Sequence, residues 1–192
     1  MLSEIRSFIA VMLSTKLKRD IYRFSASLQQ SPLNIKWVEE ENYHLTMKFL
    51  GSCSAIEIKK ASNLLRDLTA DSKPFNLQCG EVMVFPNWHH PRVISLSLTG
   101  DTEILKSLWC AIEKGLASKG FSEEKRKRFN PHITLGRLRS ENSELRKMIE
   151  GKTCPVTGEN FLVRDLCLMA SKLTPQGPQY TLIECFPLGR TL

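Results

Sequence analysis

The chain has 192 residues, 42% of them hydrophobic, enough to bury one substantial core without a low-complexity linker dividing it. Nothing in it approaches the ~18 to 20 consecutive apolar residues of a membrane span. The apolar stretch Phe8–Leu13 is short and follows Glu4, so it reads as a buried strand rather than a signal sequence. A formal charge of +7 and a pI near 9.2 point to polyanions as partners.

Hydrophobic periodicity predicts, in chain order, strand Arg6–Leu13, helix Lys16–Gln29, strand Lys36–Phe49, helix Ala55–Leu68 and strand Phe75–Phe85. The second half answers in the same order with strand Arg92–Leu98, helix Thr102–Lys119, strand His132–Leu138, a short helix over Glu141–Ile149 and strand Phe161–Lys172. Strand Tyr180–Pro187 closes the chain without a counterpart, after a hairpin loop at Thr174–Pro178. Asp101-Thr102 and Ser140-Glu141 look like helix starts, Gly51, Gly100, Gly120 and Gly151 mark element ends, and Asn87–Pro91 is the expected joint between the halves. The result is an α+β reading: one bilobal domain over residues 1–192, its lobes interleaved, with an internal repeat near 5–86 and 92–173. Two small antiparallel sheets are expected to meet along a cleft.

Each half carries one short pattern, His44-Leu45-Thr46-Met47 and His132-Ile133-Thr134-Leu135. Strand side chains alternate between faces, so Tyr43, Leu45, Met47 and Phe49 form an apolar side while His44, Thr46 and Lys48 point to the cleft. In the second copy Ile133 and Leu135 face the core, His132 and Thr134 the cleft, and Arg137 has the wrong parity unless twist or a bulge redirects it. Phe49 and Trp37 read as packing residues. Lys125-Arg126-Lys127-Arg128 is the densest basic cluster and directly precedes Phe129–His132. It suits a nucleic-acid backbone, and equally a solvated loop. His89 and His90 fit an exposed turn, since neighbouring strand residues face opposite ways and no second set of metal-ligand spacing accompanies them. Six cysteines, at positions 53, 79, 110, 154, 167 and 185, lie far apart with no C-x-x-C pair, which fits reduced thiols in a cytoplasmic protein.

Trp37-Val38, Asn42 through Gly51, Val84-Phe85-Pro86, Phe129 through Arg137, and the tail from Ser171 to Tyr180 with Phe186-Pro187-Leu188 together resemble the 2H phosphoesterases. Within these, the chain is similar to the RNA 2′,3′-cyclic phosphodiesterases once called 2′-5′ RNA ligases. The resemblance implies metal-free hydrolysis of terminal 2′,3′-cyclic phosphates to 2′-phosphates, a weak reversible 2′-5′ ligation, and a monomer acting on RNA ends or small cyclic nucleotides without a cofactor. It implies His44 as proton donor to the leaving 3′ oxygen and His132 as the base that activates water. Sequence symmetry permits the reverse. Thr46 and Thr134 would donate to nonbridging oxygens, with Lys48, Arg128 and Arg137 as further phosphate contacts. The chemistry suits the residues, because two imidazoles with ordinary pKa values near ~6.5 can hold opposite protonation states at neutral pH. A noncatalytic RNA-end or nucleotide-binding module with the same cleft is the alternative.

Overall fold

A computed structural model describes residues 4–29, 33–124, 129–139, 144–150, 152, 154–175 and 177–189. Its strands are β1 (Ile5–Met12), β2 (Ile35–Trp37), β3 (His44–Cys53), β4 (Phe75–Phe85), β5 (Val93–Gly100), β6 (His132–Leu138), β7 (Asn160–Val163), β8 (Asp165–Leu173) and β9 (Pro178–Pro187). The helices are α1 (Thr15–Leu28), α2 (Ala55–Ala70), α3 (Thr102–Ala117) and α4 (Leu145–Ile149).

Helix starts follow local chemistry. Ser14 accepts a hydrogen bond from the backbone N–H of Leu17 at the head of α1, and Ser54 and Glu57 form a reciprocal capping box at the head of α2. Buried residues recur at helical spacing, as in Leu17, Ile21, Phe24 and Leu28 of α1 and Leu105, Leu108, Ile112 and Leu116 of α3. They join Ile9, Leu45, Leu77, Leu96, Ile133 and Leu168 in one cluster between the helices and one face of the sheet. That burial removes most of the large apolar side chains from water and is the main stabilising term of the fold. Among the described residues no helix is long and apolar enough to cross a membrane.

The hydrogen-bonded order is β7-β4-β5-β6-β3-β1-β8-β9, entirely antiparallel, with β2 added to β6. Two four-stranded halves therefore meet at β6 and β3, joined by the pair Leu45–Ile133. The halves are interleaved. β4, from the first part of the chain, lies beside β5, while β8, from the second part, lies beside β1. Only Arg164 separates β7 from β8, although they belong to opposite flanks, so the sheet must curl until its flanks approach.

Several expectations need correction. The strand expected over Lys36–Phe49 is broken by a 3-10 turn at Glu40–Asn42, where the acidic run Glu39-Glu40-Glu41 is a poor strand former. The strand expected over Phe161–Lys172 is two strands. Asn87–Pro91 links the hydrogen-bonded neighbours β4 and β5 rather than separating lobes, with Asn87 Oδ1 accepting from the backbone of His89 and His90. Cys167 and Cys185 are not reduced thiols but a disulfide, because the β8–β9 register sets them directly opposite each other. Cys53, Cys79, Cys110 and Cys154 are free. The expected helix start at Ser140-Glu141 lies outside the described residues, as does Gly151.

Candidate active site

The pair Leu45–Ile133 turns both its side chains into the core, so the residues on either side of it turn to the opposite, open face. Antiparallel chain direction then sets His44 toward Thr134 and Thr46 toward His132 across the seam. Two His–Thr pairs thus share one face of one sheet, related by an approximate two-fold axis between β3 and β6.

Each imidazole is fixed in the same way. Nδ1 of His44 lies 2.7 Å from the carbonyl oxygen of Asn42, and Nδ1 of His132 lies 2.7 Å from that of Asn130. A carbonyl oxygen only accepts, so Nδ1 carries the proton and Nε2 is the nitrogen left for chemistry. At His44 that nitrogen is 3.0 Å from Thr46 Oγ1, which donates to it while the ring is neutral. Aromatic rings hold the faces. Phe8 and Tyr180 pack on His44 with centroids 5.0 and 5.3 Å away, and Phe85 packs on His132 at 4.8 Å. Burial pushes the His44 pKa down to about 4, the Asn42 hydrogen bond opposes this, and the charges of Lys18 and His132 add to the fall. The two histidines therefore sense each other's charge.

A β-bulge at the same place in each motif sets what else faces the cleft. Ile9 and Ala10 pair with Lys48 and Thr46, leaving Met47 as the extra residue, while Ile94 and Ser95 pair with Gly136 and Thr134, leaving Leu135 extra. One inserted residue reverses the side-chain parity beyond it. Arg137 is thereby turned to the cleft face, whereas Lys48 is turned inward. The expectation that Lys48 meets phosphate fails for this reason: it is 6% exposed, and its Nζ donates to Glu113 Oε2 at 2.7 Å and to the Ser122 carbonyl at 3.0 Å. Phe49, expected in the core, is 60% exposed in the cleft. Arg128 and the rest of its basic cluster lie outside the described residues.

A cavity of about 280 Å³ opens on this face, lined by His44, Thr46 and Thr134, by Phe49 and Tyr180, and by Lys36 and Arg137. Sequence reasoning missed Tyr180, Lys36 and the orienting carbonyls of Asn42 and Asn130. Those carbonyls had a signal, since Asn precedes each motif His by two positions. Among the described residues no group of three or more His, Cys, Asp or Glu side chains is placed to hold a metal ion.

A model of the family described as LigT-like phosphoesterases matches residues 11–95 and 102–180, one motif in each segment. The chain belongs to this family. Similar to it is a LigT-family relative, the RNA 2′,3′-cyclic phosphodiesterase of Methanothermobacter thermautotrophicus, 30% identical over 186 residues that cover 96% of this chain and 100% of the relative. The protein of the same name from Methanocaldococcus jannaschii is 31% identical, covering 94% of this chain and 99% of its own. Among solved structures, TT0787 of Thermus thermophilus superposes with a TM-score of 0.80 at 26% identity, covering 96% of this chain and 98% of its own. Escherichia coli LigT complexed with 3′-AMP does so at 0.79 and 26%, covering 97% and 99%. As a LigT-like phosphoesterase the chain is an enzyme of phosphate-ester chemistry.

Proposed function

We propose that this phosphoesterase opens the terminal 2′,3′-cyclic phosphate of RNA, leaving a 2′-phosphate, with acid–base work done by His44 and His132 and no metal ion required. The observation that carries the reading is the pair of Nε2 nitrogens, each oriented by a carbonyl on Nδ1, on one open face across the Leu45–Ile133 seam. In the step, water adds to phosphorus and gives its proton to His132 Nε2. The P–O3′ bond breaks, and the departing oxygen takes a proton from His44 Nε2. Charge balances, since one imidazolium is consumed and one formed. Thr46 and Thr134 donate to the nonbridging oxygens as negative charge builds on them. A phosphodiester anion beside His44 favours the imidazolium that burial disfavours, so substrate binding and protonation of the acid are linked. The same displacement with a 5′ hydroxyl attacking in place of water keeps the P–O2′ bond, releases O3′ and forms a 2′-5′ linkage, the weak ligation of this reading.

The low pKa of His44 in the free site favours a second assignment, with neutral His44 as base and His132 as acid. A cyclic substrate with sulfur at the 3′ bridging position distinguishes the two, because a thiolate leaves without protonation. His44→Ala should regain turnover on it if His44 is the acid, and His132→Ala should regain turnover if the roles are exchanged. On the ordinary oligonucleotide, each variant is expected to lose about 10²- to 10⁴-fold in kcat with its circular dichroism unchanged. The assay is run in excess chelator. Activity that disappears with chelator and returns with zinc overturns the metal-free step, and a protein that binds the cyclic end yet never opens it is the noncatalytic module instead.

A further inference from the structure

One hydroxyl on the cleft face is buried and unsatisfied. Ser95 of β5 stands directly opposite Thr134 of β6. Directly opposed residues of antiparallel strands share a face, so Ser95 points to the side of the sheet that carries the histidines, although it is fully buried. Two rings cover it. Ser95 lies in the row between Val93, which stands opposite Phe85, and Ser97, which stands opposite His132, so the contact of Phe85 with His132, centroids 4.8 Å apart, passes over it. Beneath these rings its Oγ has no hydrogen-bond partner.

A buried hydroxyl without a partner is costly, and native proteins keep few of them. The neighbours of Ser95 on this face narrow what can pair with it. Val93 beside it on β5 and Met83 opposite it on β4 offer no side-chain oxygen, and Ser97 Oγ already donates to the Glu81 carbonyl at 3.0 Å. Thr134 remains, and its hydroxyl makes no hydrogen bond among the described residues. The Cβ atoms of opposed residues stand about 4.5–5.5 Å apart, so a turn of either side chain about its first torsion brings the two oxygens within hydrogen-bond range. The position related by the approximate two-fold axis differs. Thr46 is opposed by Ala10, which has no hydroxyl, and Thr46 Oγ1 is bonded to His44 Nε2 instead.

We propose that Ser95 is a positioning residue for Thr134: when substrate binds, Ser95 Oγ donates its proton in a hydrogen bond to Thr134 Oγ1, and Thr134 donates its own to a nonbridging phosphate oxygen. This rests on the cyclic-phosphodiesterase reading and deepens it. Two hydroxyls in series polarise each other, so the bond to phosphate strengthens as charge builds on oxygen, and the gain falls on the transition state more than on the bound ground state. Thr46 has no counterpart to Ser95, so the loss on removing this hydroxyl is confined to Thr134.

The test is a double-mutant cycle on an oligonucleotide ending in a 2′,3′-cyclic phosphate, run with wild type, Ser95→Ala, Thr134→Val and the double variant. Ser95→Ala should lower kcat by about three- to tenfold, the size of one net hydrogen bond, with KM close to that of wild type. Its urea midpoint should equal or exceed that of wild type, because the substitution removes an unsatisfied buried hydroxyl. In the Thr134→Val background the same change should leave kcat unaltered. Wild-type kcat in Ser95→Ala, an undiminished loss in the Thr134→Val background, or a loss of kcat that comes with a lower urea midpoint overturns the proposal and leaves the phosphodiesterase reading intact. If wild type does not open the cyclic end, that reading fails. Calorimetric affinities of the four proteins for inorganic phosphate then decide the hydroxyl pair separately: weaker binding by Ser95→Ala, with no such difference in the Thr134→Val background, supports it, and equal binding removes it.

Discussion

At the scale of single residues, His44 carries opposing demands. Burial holds its pKa at about 4, below the ordinary 6.5, so the folded protein resists a proton that the unfolded chain accepts. The sign follows from linkage: between those two values the unfolded state binds more protons, so stability is full above about pH 6.5 and falls as pH drops toward 4. His44→Gln should flatten the dependence of the urea midpoint on pH in that window, and an unchanged slope in the variant would show that His44 is not its source. Phe49 and Lys48 show the limit of reading side chains one by one. Their alternation was plain in the sequence, but their faces were exchanged by a bulge at Met47 that no residue type announces.

At the scale of elements, the two bulges do equivalent jobs on equivalent strands. Each sits at the fourth position of its motif, leaves the His and Thr in place and re-aims the side chains beyond it. On β3 the re-aimed residue is Lys48, whose buried pair with Glu113 on α3 also ties down the segment after that helix, since Glu113 Oε2 accepts from the backbone N–H of Glu124. Removing one partner strands a buried charge, and Lys48→Ala should lower stability by about 3–5 kcal/mol, read from chemical unfolding. Lys48→Met with Glu113→Leu should recover most of that loss, because the desolvation of both charges goes with the pair. On β6 the corresponding position is Gly136, where a Cβ would stand 2.8 Å from Ile35 Cγ2 and 3.1 Å from Trp37 Cε3. Gly136→Ala should therefore push β2 from β6 and lower stability, visible as a lower urea midpoint than wild type.

At the scale of the whole molecule, the curl of the sheet brings together what the chain keeps apart. β7 and β8 leave Arg164 for opposite flanks, and β4 and β8 each cross to the lobe of the other repeat. The disulfide staples the last two strands on the cleft side, where Cys167 packs with Phe8, Ala10 and Met169, and Phe8 in turn meets His44. Its closed loop has a sequence separation of 18, so Cys185→Ser should lower stability by about 3 kcal/mol in the chain-entropy account, measured against the oxidised protein. A variant whose unfolding matches wild type would mean that β9 is held by its ladder alone.

The sequence by itself determined the α+β class, most helices and strands to within a few residues, and the His–Thr pairs with their core and cleft sides. These follow from local periodicity and capping, which act within a turn or a strand. The tertiary structure decided the break between β7 and β8, the Cys167–Cys185 bond, the inward turn of Lys48 and the meeting of Lys36 with Arg137. Each of those depends on which strand lies beside which and in what register, and hydrogen-bond pairing over long separations leaves no periodic trace in the chain.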